Sequence, residues 1–164
     1  MTKKLWISAL LIITVLISGC IFDKQQVAQN STSGVIPQTN LPAGFTYMGT
    51  HETPVDIGDT TINATEGVYR YNNVDDVYVQ LIRNNNPQEL VIQYKSKYKN
   101  ANYNPFEEVS FNGHSATKIK DYFTENAKQV AYYSIMWTNS SSMIIVGSSP
   151  DANAMLSLAT ATGN

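Results

Sequence analysis

FEEVSFNGHSATKIKDYF, residues 106–123, decides the fold. Asn112-Gly113 stands between two runs rich in aromatic and β-branched residues. Asn-Gly tolerates positive φ at both centres of a tight two-residue turn, so it is the strongest short hairpin signal a sequence carries. Phe106–Phe111 and Ser115–Phe123 are therefore expected as neighbouring antiparallel strands.

Working outward, the same pattern repeats. Gln129–Thr138 and Met143–Ser148 flank the polar turn Asn139-Ser140-Ser141-Ser142 and predict a second hairpin. Upstream, Asp75–Arg83 sets Val77, Val79 and Leu81 against Tyr78 and Gln80 in strict alternation. Gly67–Asn72 and Phe45–Gly49 read as shorter strands. Thr50–Glu66 has no clear period and reads as loop, with at most one edge strand. Met143-Ile144-Ile145-Val146 is apolar at successive positions, and therefore on both faces of its strand. An edge strand in water would not tolerate that. It must be central, with one cover on each face, and Trp137 is expected to pack against the terminal helix at Met155 or Leu156.

Two segments supply the covers. Asn86-Pro87-Gln88-Glu89 offers an N-cap residue, proline at the first helical position and an acid in the first turn. Leu90, Val91, Tyr94 and Tyr98 follow on one stripe at helical spacing. Ser149-Pro150-Asp151 repeats the start signal ahead of Ala152, Met155, Leu156 and Ala159, and Gly163 can end that helix. The expected fold class is α+β, an antiparallel sheet covered by two helices.

The amino terminus has a different character. Lys3 and Lys4 precede an uncharged run, Leu5 to Ile17, and then Ser18, Gly19 and Cys20. A basic start, a short apolar core and small residues before a cut site make a secretory signal over residues 1–19. The apolar core is shorter than the ~20 residues that cross a bilayer. Ile17-Ser18-Gly19-Cys20 resembles a lipobox. That resemblance implies a diacylglyceryl thioether on Cys20, which cleavage leaves as the new amino terminus. A thiolate is the side chain best suited to forming such a bond, and two acyl chains hold firmly where one does not. The other reading is an uncleaved anchor, since no charge falls between Lys4 and Asp23. Both readings leave the lysines inside and the remainder outside. The expected location is the outer face of the cytoplasmic membrane, lipid-anchored, with the membrane itself as one partner.

Cys20 is the only cysteine, so no intramolecular disulfide can form and the exported domain must rely on its core. Asp23–Asn40 is rich in Gln, Asn, Ser and Thr and reads as a flexible tether. Residues 20–40 are thus lipidated cysteine and tether, and residues 41–164 a single domain, expected as a monomer. Without residues 1–19 the chain has nine Lys and Arg against thirteen Asp and Glu, a net charge of −4. That balance disfavours nucleic acid as a partner. Asn30, Asn63 and Asn139 open Asn-x-Ser/Thr triplets and are possible glycosylation sites on an exported chain.

Chemistry is sparse in the sequence. The histidines, His51 and His114, are far apart, and His114 beside the Asn-Gly turn reads as solvated. Asp56 and Asp59 in DIGD lack the further oxygen ligands of a calcium loop. Asp75-Asp76 and Glu107-Glu108 point to opposite faces of their strands, which suits charges that discourage sheet aggregation rather than proton sharing. Gly113-His114-Ser115 is not a nucleophile elbow. No catalytic residue, metal or cofactor is expected. Tyrosine is the unusual component, with ten copies. Tyr69, Tyr71, Tyr132, Tyr133 and Trp137 fall on predicted strands. Tyr94, Tyr98 and Tyr103 fall on or after the first helix, interleaved with Lys95, Lys97 and Lys99. Core packing accounts for most of them, yet tyrosine and tryptophan also dominate interaction sites. Lys95 and Lys99 share a helix face that is either solvated or a weak anionic contact.

From Asp75 onward the order of elements resembles the PsbP-like fold, whose members mostly bind or assemble rather than catalyse. LPAGFTYMGT and the lipobox together resemble small lipoproteins of methanogenic archaea. The expected function is a non-catalytic binding or assembly module at the cell surface, with an envelope protein as possible partner. The alternative is a small ligand-binding or hydrolytic module acting on envelope polymers.

Overall fold

The computed structural model describes residues 34–163. The signal, Cys20, Asn30 and most of the expected tether lie outside the described residues. Among the described residues, no helix is long and apolar enough to cross a membrane.

The elements run β1 (Phe45–Ile57), β2 (Thr60–Tyr71), β3 (Asp75–Arg83), α1 (Pro87–Ser96), β4 (Phe106–Phe111), β5 (His114–Glu125), β6 (Lys128–Thr138), β7 (Ser142–Ser149) and α2 (Ala152–Ala161). All seven strands join one sheet in the order β1-β2-β3-β7-β6-β5-β4, every pair antiparallel. The fold is therefore α+β. It consists of two meanders, β1–β3 and β4–β7, linked through α1 and joined where β3 pairs with β7. The Asn112-Gly113 turn closes as expected, with φ of 48° and 80° and Phe111 opposite His114.

β7 is the central strand, and its alternate residues enter two separate cores. Ile144 and Val146 pack with Tyr69, Val77, Val79, Ile135 and Trp137 beneath Met155 and Leu158 of α2. Met143 and Ile145 pack on the other face with Ile82, Ile119 and Met136 beneath Leu90 of α1. One helix covers each face, as the doubly apolar run requires. Trp137 is only 2 % exposed and meets Phe111 edge to face at 5.0 Å.

Three expectations need correction. Thr50–Glu66 is not loop. It forms the outer halves of β1 and β2, continuously paired from Thr50 opposite Gly67 to Ile57 opposite Thr60, around Gly58-Asp59. Ile57 and Ala64 near its tip are buried in the α1 core, and the Lys97 ammonium donates to the Asp56 carbonyl, so the hairpin folds back over α1. The second correction concerns α2, whose N-cap is Asp151 and not Ser149. The Asp151 carboxylate accepts from the amides of Asn153 and Ala154, both at 3.0 Å, whereas Ser149 completes β7. At α1, Asn86 occupies the cap position without a side-chain cap bond, and its own amide donates to Asn84 Oδ1.

The third correction is at the start of the domain. Val35 and Ile36 are buried in the α2-side core, and the Tyr69 hydroxyl donates to the Pro37 carbonyl at 2.8 Å. Among the described residues, packing already includes Val35 and Ile36, ahead of Leu41. Gly67 makes room for it, because a Cβ there would overlap Ile36 Cγ2.

Candidate functional site

β5 and β6 run on past their other neighbours. β4 reaches only Ile119 on β5, and β7 ends opposite Tyr133 on β6. Residues 120–132 thus form a two-stranded arm turned by Asn126 and Ala127, both at positive φ. Such a ribbon is marginal alone in water, and aromatic pairs brace it. Phe123 meets Tyr132 across the strands at 5.1 Å, and Tyr103 meets Tyr122 at 5.0 Å, both edge to face. Lys120 Nζ sits over the rings of Tyr103 and Tyr122 at 5.8 and 5.7 Å. Tyr122 and Phe123 remain 39 % and 48 % exposed, high for aromatic side chains so close to the core.

Where the arm joins the sheet, on the α1 side, a cleft of about 60 Å³ opens between Tyr94 of α1, Tyr98 in the turn that follows it, and Tyr78, Tyr132 and Phe123 of the sheet, over Ile119 and beside Ser134 and Ser148. Asp121 lies within it. Its carboxylate accepts from the Tyr98 hydroxyl at 3.3 Å, the Tyr103 hydroxyl at 3.2 Å and the Tyr122 amide at 2.8 Å. Burial, with the charges of Tyr94 and Glu66 next, pushes the Tyr78 phenol up to about 12. Burial also raises Tyr94 and Tyr98, with Asp121 adding to both. The phenols therefore stay neutral at ordinary pH, and Asp121 is the one carboxyl among them.

On the opposite face a wider groove of about 350 Å³ follows β4 and β5, with Glu107, Lys118, Lys120 and Tyr133 along it. Lys118 pairs with Glu107 at 2.8 Å, and Lys120 turns to the rings of Tyr103 and Tyr122.

The residues singled out from sequence fall in separate places. His51 pairs with Glu66 at 3.2 Å on the outer sheet. His114 is not merely solvated: it is half-buried and tilts against Phe111 at 5.7 Å and Trp137 at 6.4 Å. Asp56 takes the Thr61 hydroxyl at 2.7 Å beside the Gly58-Asp59 turn. Asp76 binds Arg70, and Lys95 lies 3.9 Å from Glu108 and over Phe106. Asn63 is exposed on β2, whereas Asn139 Oδ1 accepts from the Ser141 amide inside its turn. None of these comes together with another into a site, and no group of three His, Cys, Asp or Glu is gathered among the described residues. The residues that do converge, Tyr78, Asp121, Phe123 and Tyr132 with Tyr94 and Tyr98, come from three strands, a helix and the turn that follows it. No spacing could have announced them. The tyrosine content was the sole trace.

Compared with known proteins, the chain matches no family model, no curated protein and no solved structure.

Proposed function

We propose that the chain is a lipid-anchored domain on the outer face of the cytoplasmic membrane, a non-catalytic module that binds or assembles with another envelope component. The anchor rests on Lys3, Lys4, the apolar run and the Ile17-Ser18-Gly19-Cys20 signature. The resemblances to small methanogen lipoproteins and to the PsbP-like fold belong to the same proposal. The observation that carries the binding role is the arm of β5 and β6, which holds Tyr122 and Phe123 out in solvent. Aromatic residues lose little conformational freedom on docking and bring large contact areas, which is why they anchor interfaces.

The test is native electrophoresis of membranes solubilised in a mild detergent. The wild-type chain should migrate in an assembly larger than itself. Tyr122→Ala should release it at a stability cost no greater than the lost ring pair with Tyr103, about 0.5–1.5 kcal/mol by urea unfolding. Migration of the wild type as a lone chain would overturn the assembly reading.

A second reading, a ligand-binding or hydrolytic module for envelope polymers, draws on the groove along β4 and β5. Its size reaches the ~300 Å³ at which ligand pockets begin. Lys118 is neutralised by Glu107 and Lys120 is engaged by the rings of Tyr103 and Tyr122, so the first reading is preferred.

A further inference from the structure

The cleft beneath α1 is rich in oxygen. β7 packs Met143 and Ile145 toward α1, and Gly147 stands two residues further on. A Cβ on Gly147 would overlap Ser134 Oγ, so the glycine leaves the Ser134 hydroxyl room within the cleft. Ser148 lines the same space, in reach of the Tyr78 hydroxyl. Two serine hydroxyls, four phenols and the Asp121 carboxylate thus share one small volume.

Many of the donors there are already spent. The hydroxyls of Tyr98 and Tyr103 and the Tyr122 amide all donate to Asp121, and the Tyr132 hydroxyl donates to Glu125. A hydroxyl that donates still has lone pairs to accept with, and a carboxylate has about four acceptor sites, of which three are filled here. The surplus is in acceptors. No cation of the chain meets it. Lys97 bonds to the Asp56 carbonyl and lies over Tyr94, and Lys120 sits over Tyr103 and Tyr122. Among the described residues no Lys, Arg or His forms an ion pair with Asp121.

Size narrows the ligand further. A volume of about 60 Å³ is two waters' share of the liquid, room for two heavy atoms and too little for a sugar ring or a quaternary ammonium head. A phosphate or carboxylate would bring more acceptors to a site that has too many. A primary ammonium and the methylene that carries it are two heavy atoms. Its three N–H donors match Ser134, Ser148 and Asp121, and ring faces attract the cation and cover the methylene. Phe123 belongs both to the wall of this cleft and to the exposed arm, so a surface that covers the arm also lies over the cleft. A side chain seated in a pocket beside aromatic contacts is the usual anchor of an interface.

We propose that the cleft receives the ammonium end of a lysine side chain from the protein that the arm binds. This rests on the assembly reading and names the chemistry of the partner's surface.

The full chain in dodecyl maltoside is titrated with Nα-acetyl-lysine methylamide and, separately, with its ε-acetyl and ε-trimethyl forms. Saturation transfer to the ε-methylene reports binding. The unmodified form should saturate. The ε-acetyl form lacks the charge and two donors, and the ε-trimethyl form is too large. Each should bind at least about tenfold more weakly, a gap of about 1.4 kcal/mol. Asp121→Asn keeps shape and removes the carboxylate. Ser134→Ala leaves the hydrogen bonds to Asp121 in place. Both variants should weaken the unmodified form, and both should lower the share of chain found in the larger assembly on native electrophoresis. A wild-type chain that migrates alone would defeat the assembly reading and this proposal together. An intact assembly with no saturation by the unmodified form would defeat the proposal alone, leaving the cleft to water. Equal binding of the three forms, or an Asp121→Asn variant that binds and assembles as the wild type does, would also overturn it.

Discussion

Substituting Gly67 by alanine should unseat the start of the domain. Gly67 lies in the middle of β2, and the Cβ of an alanine there would overlap Ile36 Cγ2 and approach the Tyr69 hydroxyl at 3.2 Å. Neither the strand backbone nor the buried Tyr69 can easily move, so Ile36 must. Overpacking a close-packed site costs about 1–3 kcal/mol. Ile36→Ala alone, at a side chain only 2 % exposed, should cost about 2–4 kcal/mol by the usual core scale. The two changes share one space, because the new methyl occupies volume that Ile36 has vacated. The double variant should therefore lose less than the singles combined, by about 1–2 kcal/mol, the range seen for residues in contact. Urea unfolding of the chain from Asp23 onward, read by tryptophan fluorescence, measures all three. If Ile36→Ala costs under about 0.5 kcal/mol, or the pair adds without coupling, residues 35–37 are not docked and the tether runs to Asn40 after all.

Trp137→Ala should cost about 3–5 kcal/mol, the figure for emptying a large core site. The buried Nε1 has no hydrogen-bond partner among the described residues, so Trp137→Phe should lose much less; a thermal melt of each variant checks both. Asp151→Ala should cost about 1 kcal/mol at pH 7 through loss of the α2 cap. The Ala154 amide and the Tyr71 hydroxyl hold the Asp151 carboxyl below the usual range, so that contribution is present above pH 4 and fades as pH falls further; urea midpoints at pH 7 and pH 3 should show the gap closing. Alkali should act in the opposite sense. Tyr78 is pushed up to about 12 and Tyr69 and Tyr98 are raised as well, so their contributions are intact below the unfolded value near 10 and disappear as pH rises toward 12. The urea midpoint should be level to about pH 9.5 and then fall, and a flat profile to pH 11.5 would contradict the buried phenols.

How much could be read from the sequence depended on whether burial left a pattern. Asn112-Gly113 and the run Met143–Val146 carried strand pairing and the central position of β7, because one fixes backbone sign and the other demands cover on both faces. Thr50–Glu66 escaped notice for the converse reason. The outer hairpin of β1 and β2 is exposed along much of both strands, so neither strand needed a continuous apolar face, and Pro54 argues against a strand except on an edge such as β1. Val35 and Ile36 are two aliphatics in a polar run, too short to show a period, and their partner at position 67 is a glycine whose meaning is space. At α2, Ser149 and Asp151 were both acceptable caps, and the extension of β7 through Ser149 decided between them. The tyrosine cleft was illegible because it is assembled across the sheet, with Asp121 placed opposite Tyr132 only by the register of β5 on β6.

The proposed export of the chain and its lipid anchor on Cys20 leave a signature in the mass of the mature protein. Intact-mass spectrometry of the protein purified from its native membranes tests both most directly. The expected product is a chain that begins at Cys20, lacks residues 1–19 and carries the added mass of a diacylglyceryl group. A mass equal to the full 164-residue chain, with no lipid, would contradict it.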